Sequence, residues 1–231
     1  MIGTLVNVAS IVGGGIIGIL LKKGLPDPVK NTVMQGLGLS VILIGGQMAF
    51  KTQNILLVVI SLVLGGIIGQ LVDIEKRLAS FGNKLEVRFG GGDSKFSRAF
   101  VSTSLIYCVG AMAIIGSIED GLTGNPSTLY AKSILDGVSA VIFSSTMGIG
   151  VIFSALPVFL YQGSITLLAE VVKNLFTDNV IRELTATGGI LIAGIGINLL
   201  EIKEIKVGNL LPSIVVIVIL VLAADRYGLF I

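Results

Sequence analysis

Lys132, Asp136 and Ser139 fall at positions i, i+4 and i+7 of the apolar run AKSILDGVSAVIF, which places all three on one face of a helix. A lysine and a carboxylate on one apolar face suit one of two tasks. They can form a buried pair that locks helices together, or the aspartate can handle an ion or a proton in a polar cavity. Further polar side chains follow in the same part of the chain: Ser144, Ser145 and Thr146 in SSTMGIG, and Gln162 after Pro157. A proline within a helix removes a backbone bond, and Gly163 beside Gln162 allows local unwinding that frees carbonyls for an ion such as Na⁺. The competing reading is that these hydroxyls bond back to their own helix and that Gln162 bridges helices. Asp120, in GSIEDGLTGN, is either part of an ordinary Asp-Gly and Asn-Pro turn or an acid at the mouth of a cavity.

These residues need elements to hold them, and composition names the solvent of those elements. Hydrophobic residues make up 53% of the 231 and charged residues 13%, against roughly 25% charged in a soluble domain. The apolar runs are continuous and lack the alternation of a barrel strand, so the chain is read as an all-α, polytopic transmembrane bundle in contact with a lipid bilayer. Apolar windows predict spans at about 2–21, 32–50, 54–72, 99–118, 128–144, 149–172, 184–200 and 207–224. Eight crossings is the expectation, with seven plus a re-entrant segment as the rival around 99–172. The opening segment lacks a basic start, and Lys22 and Lys23 follow its apolar run, so it reads as a first span and not a signal peptide. In the fifth span, counted from Thr128, Asp136 lies about 12 Å deep in a core about 30 Å thick. A carboxylate there costs about 2.5–3.5 kcal/mol unless it is paired, protonated or facing water. Lys132, a turn shallower, is expected to reach outward toward the interface.

Basic residues set the expected orientation. With the N-terminus outside, inner segments collect Lys22, Lys23, Lys30, Lys76, Arg77, Lys84, Arg88, Lys95, Arg98, Lys203 and Lys206, and outer segments only Lys51, Lys173, Arg182 and Arg226. Residues 74–98 form the largest loop. Ile74, Leu78, Phe81 and Leu85 recur there at helical spacing opposite Lys76, Arg77 and Lys84, the pattern of a helix lying on the inner leaflet, before a Gly90–Ser94 joint.

A gapless alignment of 36–47 with 187–198 puts Gly38 on Gly189, Gly45 on Gly196 and Gln47 on Asn198, and further back Gly13 falls on Gly163 and Lys23 on Lys173. This predicts an inverted repeat relating a first three-helix unit, 1–73, to a second, 146–231, with central polar helices over 99–145 between. Gln47 and Asn198 then join the candidate site, while Asn7 and Ser10 are read as interhelical bridges. Gly14/Gly18 and Gly65/Gly69 have GxxxG spacing for close packing, within the chain or in a homodimer.

Several classes are excluded. The net charge of +2 offers no nucleic-acid footprint. With no histidine, a single cysteine (Cys108) and no nucleophile motif, neither a metal site, a cofactor nor an enzymatic activity is expected. Taken together, GTLVNVASIVGGGIIG, GSIEDGLTGN, KSILDG and GIGVIFSALPVFLYQG resemble the YdfK/YqgA-like family of bacterial inner-membrane proteins, a domain of unknown function (554). The resemblance implies a place in the bacterial cytoplasmic membrane and no settled activity. The residues themselves suggest a transporter of a small polar or charged solute, with H⁺ or Na⁺ coupling, against a non-transporting membrane scaffold.

Overall fold

The computed structural model describes residues 1–22, 26–85 and 96–226. Among these every regular element is helical: α1 (Ile2–Lys22), α2 (Asp27–Ala49), α3 (Ile55–Val72), α4 (Ile74–Leu85), α5 (Phe96–Cys108), α6 (Ala111–Thr123), α7 (Ser127–Met147), α8 (Gly150–Phe153), α9 (Ala155–Leu167), α10 (Ala169–Val172), α11 (Asp178–Leu199), α12 (Val207–Leu210) and α13 (Pro212–Arg226). Local signals explain their ends. Asn54 Oδ1 accepts from the Leu57 N–H at the start of α3, and Thr177 Oγ1 accepts from Val180 N–H at the start of α11. Gly124 closes α6 with φ 67°, a left-handed turn that costs glycine nothing.

Among the described residues six stretches are long and apolar enough to cross a membrane, and α5 with α6, bent by 59° at their junction, would make a seventh. The 21-residue α7 is as long as the others, but Lys132, Asp136 and its hydroxyls keep it out of that set. The fourth expected span is therefore a bent pair and not one straight helix. The SSTMGIG reversal also begins later than its sequence suggests: α7 runs through Met147 and breaks at Gly148, φ 91°. Ser145 and Thr146 stay helical because their hydroxyls donate to carbonyls three and four residues back. A helix does form at the expected inner-loop position, as α4, while the Gly90–Ser94 joint lies outside the described residues.

Contacts divide the chain into two compact units, neither continuous in sequence: unit 1 holds Met1–Gly36 and Leu78–Val172, and unit 2 holds Leu37–Arg77 and Lys173–Ile231. In unit 1 the main packing is α1 along α7. Gly3 faces Leu129, Gly137 faces Ser10, Gly14 faces the Gly137 carbonyl, and Gly18 faces Val141 and Ser144. Positions rise together on both helices, so they run parallel. In unit 2, α2 and α11 run antiparallel with backbones touching. A Cβ on Gly45 would lie 2.6 Å from the Gly189 carbonyl oxygen, one on Gly189 2.6 Å from the Gly45 oxygen, and one on Gly196 2.8 Å from the Gly38 oxygen. Along α3, Gly65 packs on Ser213 and Gly69 on the Asn209 carbonyl. Both GxxxG pairs are thus occupied inside their own units.

Side chains are excluded where backbones touch, so Gly45→Ala is expected to cost about 1–3 kcal/mol by overpacking. Gly46→Ala, where a Cβ meets open space, should be neutral or stabilise by up to about 1 kcal/mol through helix propensity. Melting of the detergent-solubilised protein, followed by size-exclusion elution, measures both. Equal melting temperatures for the two variants would contradict the close crossing.

Candidate functional site

The centre of unit 1 is built on the face of α1 that carries Thr4, Asn7, Ile11, Gly14 and Gly18, all buried. Because the glycines admit α7 so closely, the short amide of Asn7 reaches the carboxylate of Asp136. Its Nδ2–H donates to Asp136 Oδ2 at 3.0 Å and to Gln162 Oε1 on α9 at 3.3 Å. From one turn earlier on α7, Lys132 Nζ donates to both carboxylate oxygens, at 2.9 and 2.7 Å. Lys132 and Asp136 are each only 6% exposed, and Asn7 and Gln162 are 0% exposed. Lys132 therefore points inward along its own helix, contrary to the expected outward reach, because the carboxylate offers a stronger partner than a distant interface.

Ser139 lies a turn further on. Its Oγ donates to the Asp136 backbone carbonyl at 2.9 Å and lies 3.3 Å from the phenol oxygen of Tyr107 on α5. The site thus draws on α1, α5, α7 and α9. Hydrogen-bonding capacity is left over at its core. Asn7 Oδ1, Gln162 Nε2 and the hydroxyl oxygens of Thr4, Ser117 and Thr166 are buried with no partner among protein atoms, each an expensive arrangement unless something fills it.

Asp120, on α6, is 6% exposed and so is no plain surface turn. Its Oδ2 accepts from the Gly3 N–H at 3.1 Å and pairs with the Met1 amine at 2.8 Å, which fastens it to the start of α1. Neighbouring Glu119 accepts from Thr128 Oγ1 at 2.7 Å, tying α6 to α7 across the Asn-Pro turn.

The remaining sequence candidates do not converge on this centre. Ser144 lies against Gly15 and Gly18 with its hydroxyl unpartnered, while Ser145 and Thr146 serve their own helix. Gln47 belongs to unit 2 and is exposed on α2. Asn198, also in unit 2, clamps its following loop, donating to the Ile205 carbonyl at 2.8 Å and accepting from the Ile205 N–H at 2.7 Å. That is a structural task, set by the need to satisfy the end of α11.

Sequence reasoning missed two polar clasps in unit 2. Fully buried Glu183 accepts from Thr52 Oγ1 and, at 2.9 Å, from Gln53 N–H, holding the α2–α3 turn to α11. Asn209 accepts from Glu75 N–H at 2.7 Å and donates to Gln70 at 3.0 Å, while Glu75 accepts from Gly208 N–H at 2.6 Å. Glu183 sits just outside an apolar window, where a charge reads as a boundary marker, and Asn209 precedes a Leu-Leu-Pro run. Neither carries a signal beyond position. Asn7 had one: it shares the helical face of Gly14 and Gly18.

Apolar helices of spanning length and a charged pair buried among them define a multi-pass α-helical membrane protein. The chain belongs to the family described as "Protein of unknown function (DUF554)", which matches residues 2–222. It is 34% identical over 235 residues to the uncharacterized membrane protein YdfK of Bacillus subtilis (strain 168), covering 99% of both chains. To the uncharacterized protein YqgA of Escherichia coli (strain K12) it is 29% identical over 219 residues, covering 93% of both. No solved structure matches it.

Removing one member of a buried pair strands the other charge. Lys132→Met is therefore expected to cost about 3–5 kcal/mol, and the double variant Lys132→Met/Asp136→Asn much less than that single change. Denaturant unfolding in detergent, run as a double-mutant cycle, reads the coupling. A double variant no more stable than Lys132→Met would show that the two groups do not support each other.

Proposed function

We propose that this protein is a transporter of a small polar or charged solute in the bacterial cytoplasmic membrane, with the solute path through unit 1. The observation that carries the reading is the Lys132–Asp136 pair, buried midway along a helix and joined through Asn7 to Gln162, two buried amides that each keep an unpartnered polar atom. Ionisable groups within membrane spans are costly, and they mark ion and solute pathways more often than they serve as glue. Neither a catalytic residue set nor a cofactor is part of this proposal.

The eight-crossing arrangement fits the parallel contact of α1 and α7. If α2 and α3 each cross, the bent α5–α6 pair must cross as well for α7 to run in the direction of α1. The distribution of lysine and arginine then favours both termini outside and α4 at the inner surface. Inverted repeats are common in secondary transporters, and the glycine contacts in unit 2 support one here. The glycines that the alignment pairs, Gly38 with Gly189 and Gly45 with Gly196, are the ones at which α2 and α11 touch. Gly13 and Gly163 add no such support, since a Cβ at Gly13 meets open space and one at Gly163 meets only Met1 Cε at 3.7 Å.

A scaffold is the second reading, favoured by one observation: both Asp136 oxygens are already bonded within the protein. The two readings diverge at Asp136→Asn, which nearly preserves shape. Purified protein is screened for solutes that raise its melting temperature, and hits are followed as uptake into liposomes. Transport predicts that Asp136→Asn, although less stable because Lys132 is left unpaired, still elutes as a folded protein yet loses solute stabilisation and at least about tenfold of uptake, or roughly 1.4 kcal/mol. An unchanged solute response in that variant would favour the scaffold. Orientation is read separately, by placing single cysteines at Gln53 and Lys76 in a Cys108→Ala background. A membrane-impermeant thiol reagent added to intact cells should label Gln53→Cys and spare Lys76→Cys, and the reverse pattern would invert the topology.

A further inference from the structure

Asp120 and Asp136 are held by the same helix one turn apart. Asp120 is fastened to α1 at Gly3 and Asp136 at Asn7, positions separated by about 6 Å along the axis. Five partnerless buried atoms belong to residues of the three helices joined there: Thr4 and Asn7 on α1, Ser117 on α6, and Gln162 and Thr166 on α9. Thr4 is on the buried face of α1 between the two attachments. On α6, Ser117 is one turn before Asp120. Gln162 meets Asn7, and one turn along α9 the Thr166 backbone packs against Gly121. Thr4, Ser117 and Gln162 are 0% exposed and Thr166 6%.

The mixture of groups selects what fits among them. A bare cation would meet the free N–H of Gln162, and an anion would meet Asn7 Oδ1 and two carboxylates. Water both donates and accepts, so it can satisfy the hydroxyls, the amide oxygen and the amide nitrogen together. We propose that Asp120 and Asp136 are the two ends of a short hydrated proton path through unit 1, and that the proton is the coupling ion of the transport reading above, on which this role rests.

The transfer moves one proton and changes no bond between heavy atoms. Asp120, protonated from the outer end, releases its proton to an adjoining water. Each water, and each hydroxyl of Thr4, Ser117 and Thr166 in line, gains one proton and passes on another. The Asp136 carboxylate takes up the last one and, in a completed cycle, gives it up to water on the inner side, so that one proton enters and one leaves unit 1. Asn7 and Gln162 only orient the waters. The charged and titratable groups around the ends are the Met1 amine and Glu119 near Asp120, and Lys132, Tyr107 and Cys108 near Asp136, with Tyr161 next to Cys108. A protonated Asp136 no longer neutralises Lys132, so arrival of the proton loosens the pair that closes the site.

The test uses the full chain in liposomes with a trapped pH dye and a potassium diffusion potential set by valinomycin. Proton entry several-fold above protein-free liposomes is expected. It should fall at least about tenfold in Asp120→Asn, in Asp136→Asn and in Thr4→Val/Ser117→Ala, and persist in Thr4→Ser, all with native elution and helical content. Proton entry equal to that of empty liposomes, or undiminished entry in Thr4→Val/Ser117→Ala, would overturn the path. The transport reading fails separately: solute uptake that needs Asp136 but runs on a sodium gradient without proton movement keeps transport and removes the path. Proton entry with no solute uptake does the opposite.

Discussion

A carboxylate buried in an apolar helical unit has to be surrounded by donors, and Asp136 is where unit 1 meets that requirement. Its oxygens draw one lysine from its own helix and one amide from α1. An asparagine side chain is short, so it can donate across two helices only if their backbones lie close. Gly14, Gly18 and Gly137 permit that approach, and the parallel run of α1 beside α7 follows from it. Gln162 then joins through the same asparagine, which brings in α9, and Ser139 with Tyr107 brings in α5.

Unit 2 meets the same physical demand differently. Its helices also touch backbone to backbone, at Gly38, Gly45, Gly189 and Gly196, but its principal polar bonds sit where helices begin and turns pass. Glu183 satisfies the Gln53 N–H in the turn before α3, Asn209 satisfies the Glu75 N–H that the start of α4 leaves open, and Asn198 closes the loop after α11. Polar groups used as terminal clasps stabilise a unit without placing charge in mid-helix. In unit 1 the buried ion pair lies instead within α7, four residues apart and joined across to α1.

Two of the chain breaks in unit 1 fall at glycine. The bend between α5 and α6 comes at Gly110 and the end of α7 at Gly148. Ser145 and Thr146 do not break α7, because a hydroxyl that donates to a carbonyl one turn back is satisfied without water. Small polar residues near a helix end therefore look alike in sequence whether they line a site or merely serve the backbone.

The helical class, six of the expected apolar stretches and the unusual placing of Lys132 and Asp136 in an apolar helix were legible in the sequence, since each follows from hydropathy and helical spacing, properties local to a segment. The same spacing put Lys132 and Asp136 on one face, and the structure keeps them there. What lies opposite that face is a matter of tertiary structure. Asn7 and Gln162 are 155 residues apart in the chain, and no local pattern joins them. Gln47 and Asn198, equivalent by alignment, end on different duties because one is exposed and the other meets a loop seven residues on. Asp120 read as a turn residue before a site residue, and its burial against Gly3 depends on how α6 folds back onto α1. Hydrophobicity chose which segments become helices in this protein. The close approach of glycine backbones, which only the packed structure reveals, decided which polar groups meet.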